Sequence, residues 1–331
     1  MKKMIVTISL IALLFLIFFG YKVYIGNTAA ELFEAGYEKL ENKDYTGAIE
    51  EFNRSLDLAK QGSWMFADEK VKKGLAVNYG QRGWCYMQLG QYEKALEDYN
   101  KAEELGQNNA GLYSSRGWTK NHLEQYEDAM IDFNKAIDME SFDGIYETYN
   151  GLGNSYRMLE ENEEAIKYYD KAIKLNSTYS LAYMGRGFSN NSLENYKEAI
   201  KDFTKAIDLE LPYSFAYYGR GIAYKNLNEA EKAKADFEKA VGFDTANSDE
   251  LIAFKGLSLH ELGKYEEAIA DFNKAYKLKG HSWLLKCLGD SYKELEQNDK
   301  AAEYYKKYLD LAGNKYHDED EVKDSLKEMG Y

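Results

Sequence analysis

Along most of the chain, apolar residues recur at spacings of three and four, as in Tyr217, Gly221 and Tyr224 and then Ala233, Phe237 and Ala240. That period predicts amphipathic helices rather than strands. The helical stretches come in pairs, and the pairs repeat. Glycines at 36, 83, 117, 153, 187, 221, 256 and 289 are each followed twelve residues later by an alanine and sixteen later by an aromatic. The sets are Gly36/Ala48/Phe52, Gly83/Ala95/Tyr99, Gly117/Ala129/Phe133, Gly153/Ala165/Tyr169, Gly187/Ala199/Phe203, Gly221/Ala233/Phe237, Gly256/Ala268/Phe272 and Gly289/Ala301/Tyr305. Successive alanines lie 47, 34, 36, 34, 34, 35 and 33 residues apart, so the pattern predicts eight helical hairpins. A glycine inside a helix costs about 1 kcal/mol relative to alanine, so eight of them need a packing reason. With no side chain at the glycine and only a methyl at the alanine, helix axes can approach closely, and the aromatic fills the space between neighbouring hairpins.

At these columns the chain resembles the tetratricopeptide repeat family from roughly Ala29 to Lys315. Tyr79, Tyr113, Tyr149, Tyr183 and Tyr217 fill the first column of that pattern, and Tyr86, Tyr156, Tyr224 and Tyr292 its tyrosine column. The resemblance implies an all-α, right-handed α-solenoid of about eight helix-turn-helix repeats over residues 29–315. In place of the proline that closes such a repeat, turns carry residues such as Asn176-Ser177 and Gly280-His281-Ser282, the only proline being Pro212. A solenoid has no single core, because each hairpin buries its apolar face only on its neighbours. The length of 331 residues therefore counts repeats rather than globular domains.

In the family resembled, stacked first helices line a concave groove that holds a peptide or partner helix. The residues one after each glycine are expected to face it: Tyr37, Trp84, Trp118, Asn154, Phe188, Ile222, Leu257 and Asp290. One turn earlier or later lie Met87, Asn121, Arg157, Met184, Asn191, Tyr218 and Lys225, giving a surface that mixes aromatic anchors with amides. The alternative is that these aromatics pack between hairpins. The family's clamp for a terminal carboxylate is absent, since its columns carry Ser114 and Trp118, then Gly151, or Met184 and Phe188, then Gly219.

Another column pairs charges. The residue before the glycine is Arg82, Arg116, Arg186, Arg220 or Lys255, and sixteen residues later those repeats carry Asp98, Asp132, Asp202, Asp236 and Asp271. Where it is Leu152 or Leu288, the later residue is Tyr168 or Tyr304. This covariation within the chain predicts a contact joining the two helices of each hairpin.

The ends and one insertion depart from the repeat. Residues 1–28 are expected to meet a membrane: Lys2 and Lys3 precede Met4 to Gly20, seventeen residues without a charge. We read this segment as a signal anchor and transmembrane helix that leaves the repeats extracytoplasmic. Cleavage near Thr28-Ala29-Ala30, releasing an exported soluble form, is the alternative. Residues 316–331 read as a C-terminal capping helix with Val322, Leu326 and Met329 inward. Thirteen extra residues fall around 60–75 and include Trp64, Met65 and Phe66, predicting a longer helix or an extra turn.

Composition narrows the chemistry. The formal charge is −14 and no basic stripe runs through the repeats, which disfavours nucleic acid. Gly151-Leu152-Gly153, Gly185-Arg186-Gly187 and Gly219-Arg220-Gly221 lack the third glycine of a dinucleotide motif and lie within helices. Lys264 occupies the place of the second histidine that would make His260-Glu261 a zinc motif, and His122, His281 and His317 are isolated. No catalytic residue, metal or cofactor is expected, and Cys85 and Cys287 read as small apolar residues. The function expected is a membrane-tethered scaffold that binds a protein or peptide in its groove. The alternatives are a self-associating structural solenoid and a non-catalytic binding subunit of an enzyme complex.

Overall fold

The computed structural model describes residues 20, 24–63, 69–139, 143–209, 214–243, 245, 248–312 and 319–331, and every regular element among them is an α-helix. Two compact units divide the chain, Met1–Glu161 and Asn162–Tyr331. The first unit holds α1 (residues 24–41), α2 (Tyr45–Ser63), α3 (Glu69–Gln88), α4 (Tyr92–Glu104), α5 (Ala110–His122), α6 (Tyr126–Asp138) and α7 (Ile145–Met158). In the second are α8 (Asn162–Leu175), α9 (Ser180–Ser192), α10 (Tyr196–Asp208), α11 (Ser214–Asn226), α12 (Ala230–Val241), α13 (Asp249–Glu261), α14 (Tyr265–Lys279), α15 (Trp283–Glu294), α16 (Asn298–Ala312) and α17 (Glu319–Glu328).

Glycine and aromatic meet as the register predicts. A Cβ added at Gly36 would lie 2.8 Å from the Phe52 ring, at Gly117 2.7 Å from Phe133, and at Gly256 2.7 Å from Phe272. The first glycine of each Gly-x-Gly, two residues before the register glycine, has a different partner. Gly151 abuts Phe133, Gly185 abuts Tyr169 and Gly219 abuts Phe203, so each of these glycines faces the aromatic of the preceding second helix. Phe133 and Phe203 are thus each held between two glycines on successive first helices, fully buried. Burying each such ring contributes about 2–3 kcal/mol, and the two missing side chains are what let the backbones close on it.

Each hairpin turns through one residue in the left-handed region, seven after the register glycine. These residues are Lys43, Gly90, Glu124, Glu160, Glu194, Asn228, Gly263 and Glu296. The following N–H reaches five residues back, as from Gln125 to the Lys120 carbonyl at 2.9 Å and from Asn195 to the Asn190 carbonyl at 2.8 Å. This is the Schellman arrangement that satisfies the last carbonyls of a helix. It terminates the first helices without proline.

The charge column pairs as expected and also reaches further. Arg82, Arg116, Arg186 and Arg220 each donate two hydrogen bonds to their own Asp98, Asp132, Asp202 and Asp236, at 2.6–3.0 Å. Lys255 lies 3.8 Å from Asp271. Each guanidinium also donates from Nη1 to the preceding hairpin, to Asn53, Asn100, Asp170 and Thr204 respectively. The contact is therefore not confined to one hairpin. One planar cation ties three helices, a geometry that lysine's single ammonium does not reproduce. Where leucine replaces the cation at 288, it is buried, and Tyr304 packs against the same cluster.

First helices of successive hairpins touch: α5 meets α3 and α7, and α11 meets α9 and α13. No comparable contact joins the second helices α10, α12 and α14. Within each unit the first helices therefore form the inner wall. The extra residues after Lys60 lengthen both α2 and α3, to 19 and 20 residues against 13 in α5 and α6. Trp64, Met65 and Phe66 lie outside the described residues, as do residues 1–19 and 21–23 of the expected membrane segment, Pro212 and His317. Among the described residues no helix is long and apolar enough to cross a membrane. At the other end α17 packs on α16, with Val322 and Leu326 buried.

Candidate functional site

The inner wall is built from one face of each first helix, and the structure divides the expected groove residues into three groups. In the first unit Trp84 stands edge-on to Tyr45 with ring centroids 5.5 Å apart, and Trp118 stands edge-on to Phe133 at 5.8 Å. Both tryptophans remain half-buried. Tyr37 on α1 is 40% exposed and borders a shallow depression with Ala30, Glu31, Glu34 and Glu41. Met87 packs against the buried cluster around Leu75 and Tyr99.

The second group is committed to structure. Asn121 donates to the Gly151 carbonyl at 3.0 Å and accepts from the Ser155 hydroxyl at 2.8 Å, stapling α5 to α7. Asn191 donates to the Gly219 carbonyl at 2.8 Å, stapling α9 to α11. These amides, expected as groove contacts, spend their N–H donors on the next helix. The same seam recurs with His260 Nδ1 at 3.0 Å from the Ser291 hydroxyl and with Lys225 paired to Glu261 at 2.6 Å. Asn191 has no hydroxyl to meet, since Ala223 stands where Asn121 finds Ser155, and its buried Oδ1 has no partner.

The third group is an aromatic cluster in the second unit. Phe254 stacks edge-on to Phe215 at 4.4 Å and to Tyr218 at 5.5 Å, and lies 6.3 Å from Phe188. Phe188 in turn stands edge-on to Phe203 at 5.0 Å. Burial pushes the Tyr218 phenol well above the ordinary tyrosine value, with the Glu261 carboxylate adding to it. Phe215 and Phe254 were not among the residues singled out from sequence. The signal was present, because Phe254 occupies the column that holds glycine at 151, 185 and 219. Met184 packs on the neighbouring core, while Asn154, Arg157 and Ile222 lie half-buried on their helices.

Burial pushes the Cys85 thiol up to about 12, which keeps it protonated and unreactive. His122 stacks flat on Tyr92 at 4.4 Å, and His281 faces Asp249 at 3.2 Å. No group of three metal-ligating side chains occurs among the described residues.

Stacked helical hairpins whose first helices form an inner wall within each unit define a helical-repeat fold. Family models described as tetratricopeptide repeat match residues 76–109, 110–143, 146–179, 181–212, 216–247, 250–281 and 288–315. The chain belongs to the tetratricopeptide repeat family. Its first hairpin, α1 and α2, lies outside the matched residues but carries the same glycine–aromatic contact. Repeats of this family serve as protein- and peptide-binding modules and are typically non-catalytic. A crystal structure of a tetratricopeptide repeat protein from Parabacteroides merdae is similar, with a TM-score of 0.61 at 20% identity, covering 80% of this chain and 99% of that one. The Cut9–Hcn1 hetero-tetramer of APC/C gives 0.58 at 17% identity, covering 85% and 53%. PilW, a type IV pilus biogenesis factor, gives 0.55 at 16% identity, covering 64% and 91%. At these identities the likeness shows the fold alone. No curated protein matches the chain.

Proposed function

We propose that this chain is a membrane-tethered scaffold that binds a partner protein or peptide on the inner wall of its first unit, with Trp84 and Trp118 as anchors. The observation that carries the reading is that Trp84 and Trp118 each make a T-shaped contact with a neighbouring ring while remaining only half-buried. Half-buried tryptophans on a rigid wall supply apolar area at little cost in side-chain entropy. The second unit is the weaker candidate, because Phe188, Phe215, Tyr218 and Phe254 already satisfy one another. With a net charge of −14, the surface favours a neutral or basic partner.

The tether rests on sequence: two lysines, then seventeen residues without a charge. This reading puts the repeats outside the cytoplasm. The test is affinity capture of the full-length chain from its native membrane beside a Trp84→Ala/Trp118→Ala variant whose helicity is checked by circular dichroism. A partner lost only from the folded variant supports the wall. Identical partners on both proteins would move the site elsewhere.

Self-association is a second reading, favoured by leucines left exposed at the ends of second helices in the second unit: Leu175 at 55%, Leu278 at 47% and Leu311 at 58%. Sedimentation that stays monomeric at high concentration would rule it out.

A further inference from the structure

The lysine-rich end of α3 stands beside the start of α1, the helix that follows the uncharged run in sequence. Two hydrogen bonds fix the register of three helices in the first unit. Ser55 on α2 donates to the Ala29 carbonyl on α1 at 2.6 Å. Asn78 on α3 donates to the same Ser55 hydroxyl at 2.9 Å. These three residues therefore lie at one level, and the helices can be measured from it at about 1.5 Å per residue.

From that level α1 runs back to residue 24 in about 7.5 Å. In the same direction α2 runs on to Ser63 in about 12 Å, and α3 back to Glu69 in about 13.5 Å. The lengthened ends of α2 and α3 thus reach past residue 24. Ile25 and Ala29, near the start of α1, are already buried, 4% and 7% exposed. Tyr24, the first residue of α1, is 67% exposed, and aromatic rings of this kind gather at bilayer interfaces.

Lys70, Lys72 and Lys73 are exposed in the opening turns of α3, with Lys60 exposed near the end of α2. A helix start disfavours cations through its dipole. Some other helices open on two acids, with Glu127 and Asp128 in α6, Asp249 and Glu250 in α13, and Glu266 and Glu267 in α14. Here Glu69 is the single acid of the first turn. In a protein of net charge −14, three exposed lysines fall within four residues at this helix end.

We propose that this end of the first unit is a membrane-contact surface, in which Lys70, Lys72 and Lys73 bind anionic lipid headgroups and hold the first unit directly against the bilayer. The proposal rests on the tether of the preceding section and adds a lipid preference to it. Surface attraction decays within a Debye length of about 10 Å, so it acts on this end alone. Lys43, in the turn at the far end of the α1–α2 hairpin, is about 28 Å from residue 24 along the helix.

The experiment uses the full-length chain in vesicles of phosphatidylcholine, alone or mixed with phosphatidylglycerol, and reads amine acylation of each lysine by mass spectrometry. Lys72 and Lys73 should label about fivefold more slowly in the anionic vesicles. High salt should abolish the difference, and Lys43 should label equally in both. Flotation in alkaline carbonate, run in parallel, reads the tether separately. A chain that floats yet labels Lys72 and Lys73 alike in both vesicles overturns the headgroup contact and leaves the tether standing. A chain that does not float overturns the tether and this placement with it.

Discussion

A methyl at Gly117 would stand 2.7 Å from the Phe133 ring, whereas one at Gly74 would meet nothing within 4 Å. Both are interior helix glycines, so propensity alone treats them alike. Packing separates them. Gly117→Ala should destabilise by about 1–3 kcal/mol through overpacking, and Gly74→Ala should stabilise by about 0.5–1 kcal/mol, each read from a urea midpoint. Asp271 shows the same dependence on surroundings. Burial pushes its carboxyl above the ordinary aspartate value, and Lys255 only partly offsets this. A raised folded pKa favours folding at low pH, and that contribution is lost as pH rises from the ordinary value of 3.8 through the raised one. Asp271→Asn removes the titration. Its melting temperature should therefore gain on that of the native chain as pH rises through this window. A constant difference between the two would refute the assignment.

The hairpin is the element that repeats, and its turn and its clamp carry separate predictions. Glu194 turns at φ 60° in the left-handed region, where two other hairpins have Gly90 and Gly263. Glu194→Gly should raise the urea midpoint, worth about 1 kcal/mol, because glycine adopts that backbone without the Cβ clash. The Arg220–Asp236 clamp is mostly buried, its side chains 16% and 8% exposed. Arg220→Leu alone should cost about 3–5 kcal/mol by leaving a carboxylate without its cation. Adding Asp236→Tyr should recover part of that loss, since the chain itself pairs leucine with tyrosine at 288 and 304. Additive effects in this double-mutant cycle would show that the two positions are uncoupled.

Stability on the scale of the whole molecule depends on covering the last hairpin. Val322 and Leu326 of α17 close a cluster that includes Tyr305 and Tyr308. Val322→Asp should put an unpaired charge against that cluster, detach α17 and cause concentration-dependent association by light scattering. The native chain under the same conditions is the control, and equal scattering from both would show that α17 covers no sticky surface. Two compact units also mean that a binding defect can be local. Loss of partner capture with Trp84→Ala/Trp118→Ala should leave the contacts among Phe188, Tyr218 and Phe254 in the other unit intact.

The sequence by itself determined the hairpin. A glycine, a methyl at +12 and a ring at +16 leave one way to pair two helices, and the arginine–aspartate column followed because both residues vary together within one chain. Local backbone rules were less visible, because glutamate at 124, 160, 194 and 296 gives no hint of a left-handed turn that only two glycines announce. Tertiary structure alone decided which residues on the inner wall remain available. Asn121 and Asn191 look like groove amides in sequence, but their donors are taken by carbonyls 30 and 28 residues away. Phe254 draws Phe188, Phe215 and Tyr218 into one cluster. The reason is physical: a residue's face on its own helix follows from period, but its partner belongs to the next helix, and that distance is set by packing rather than by spacing along the chain.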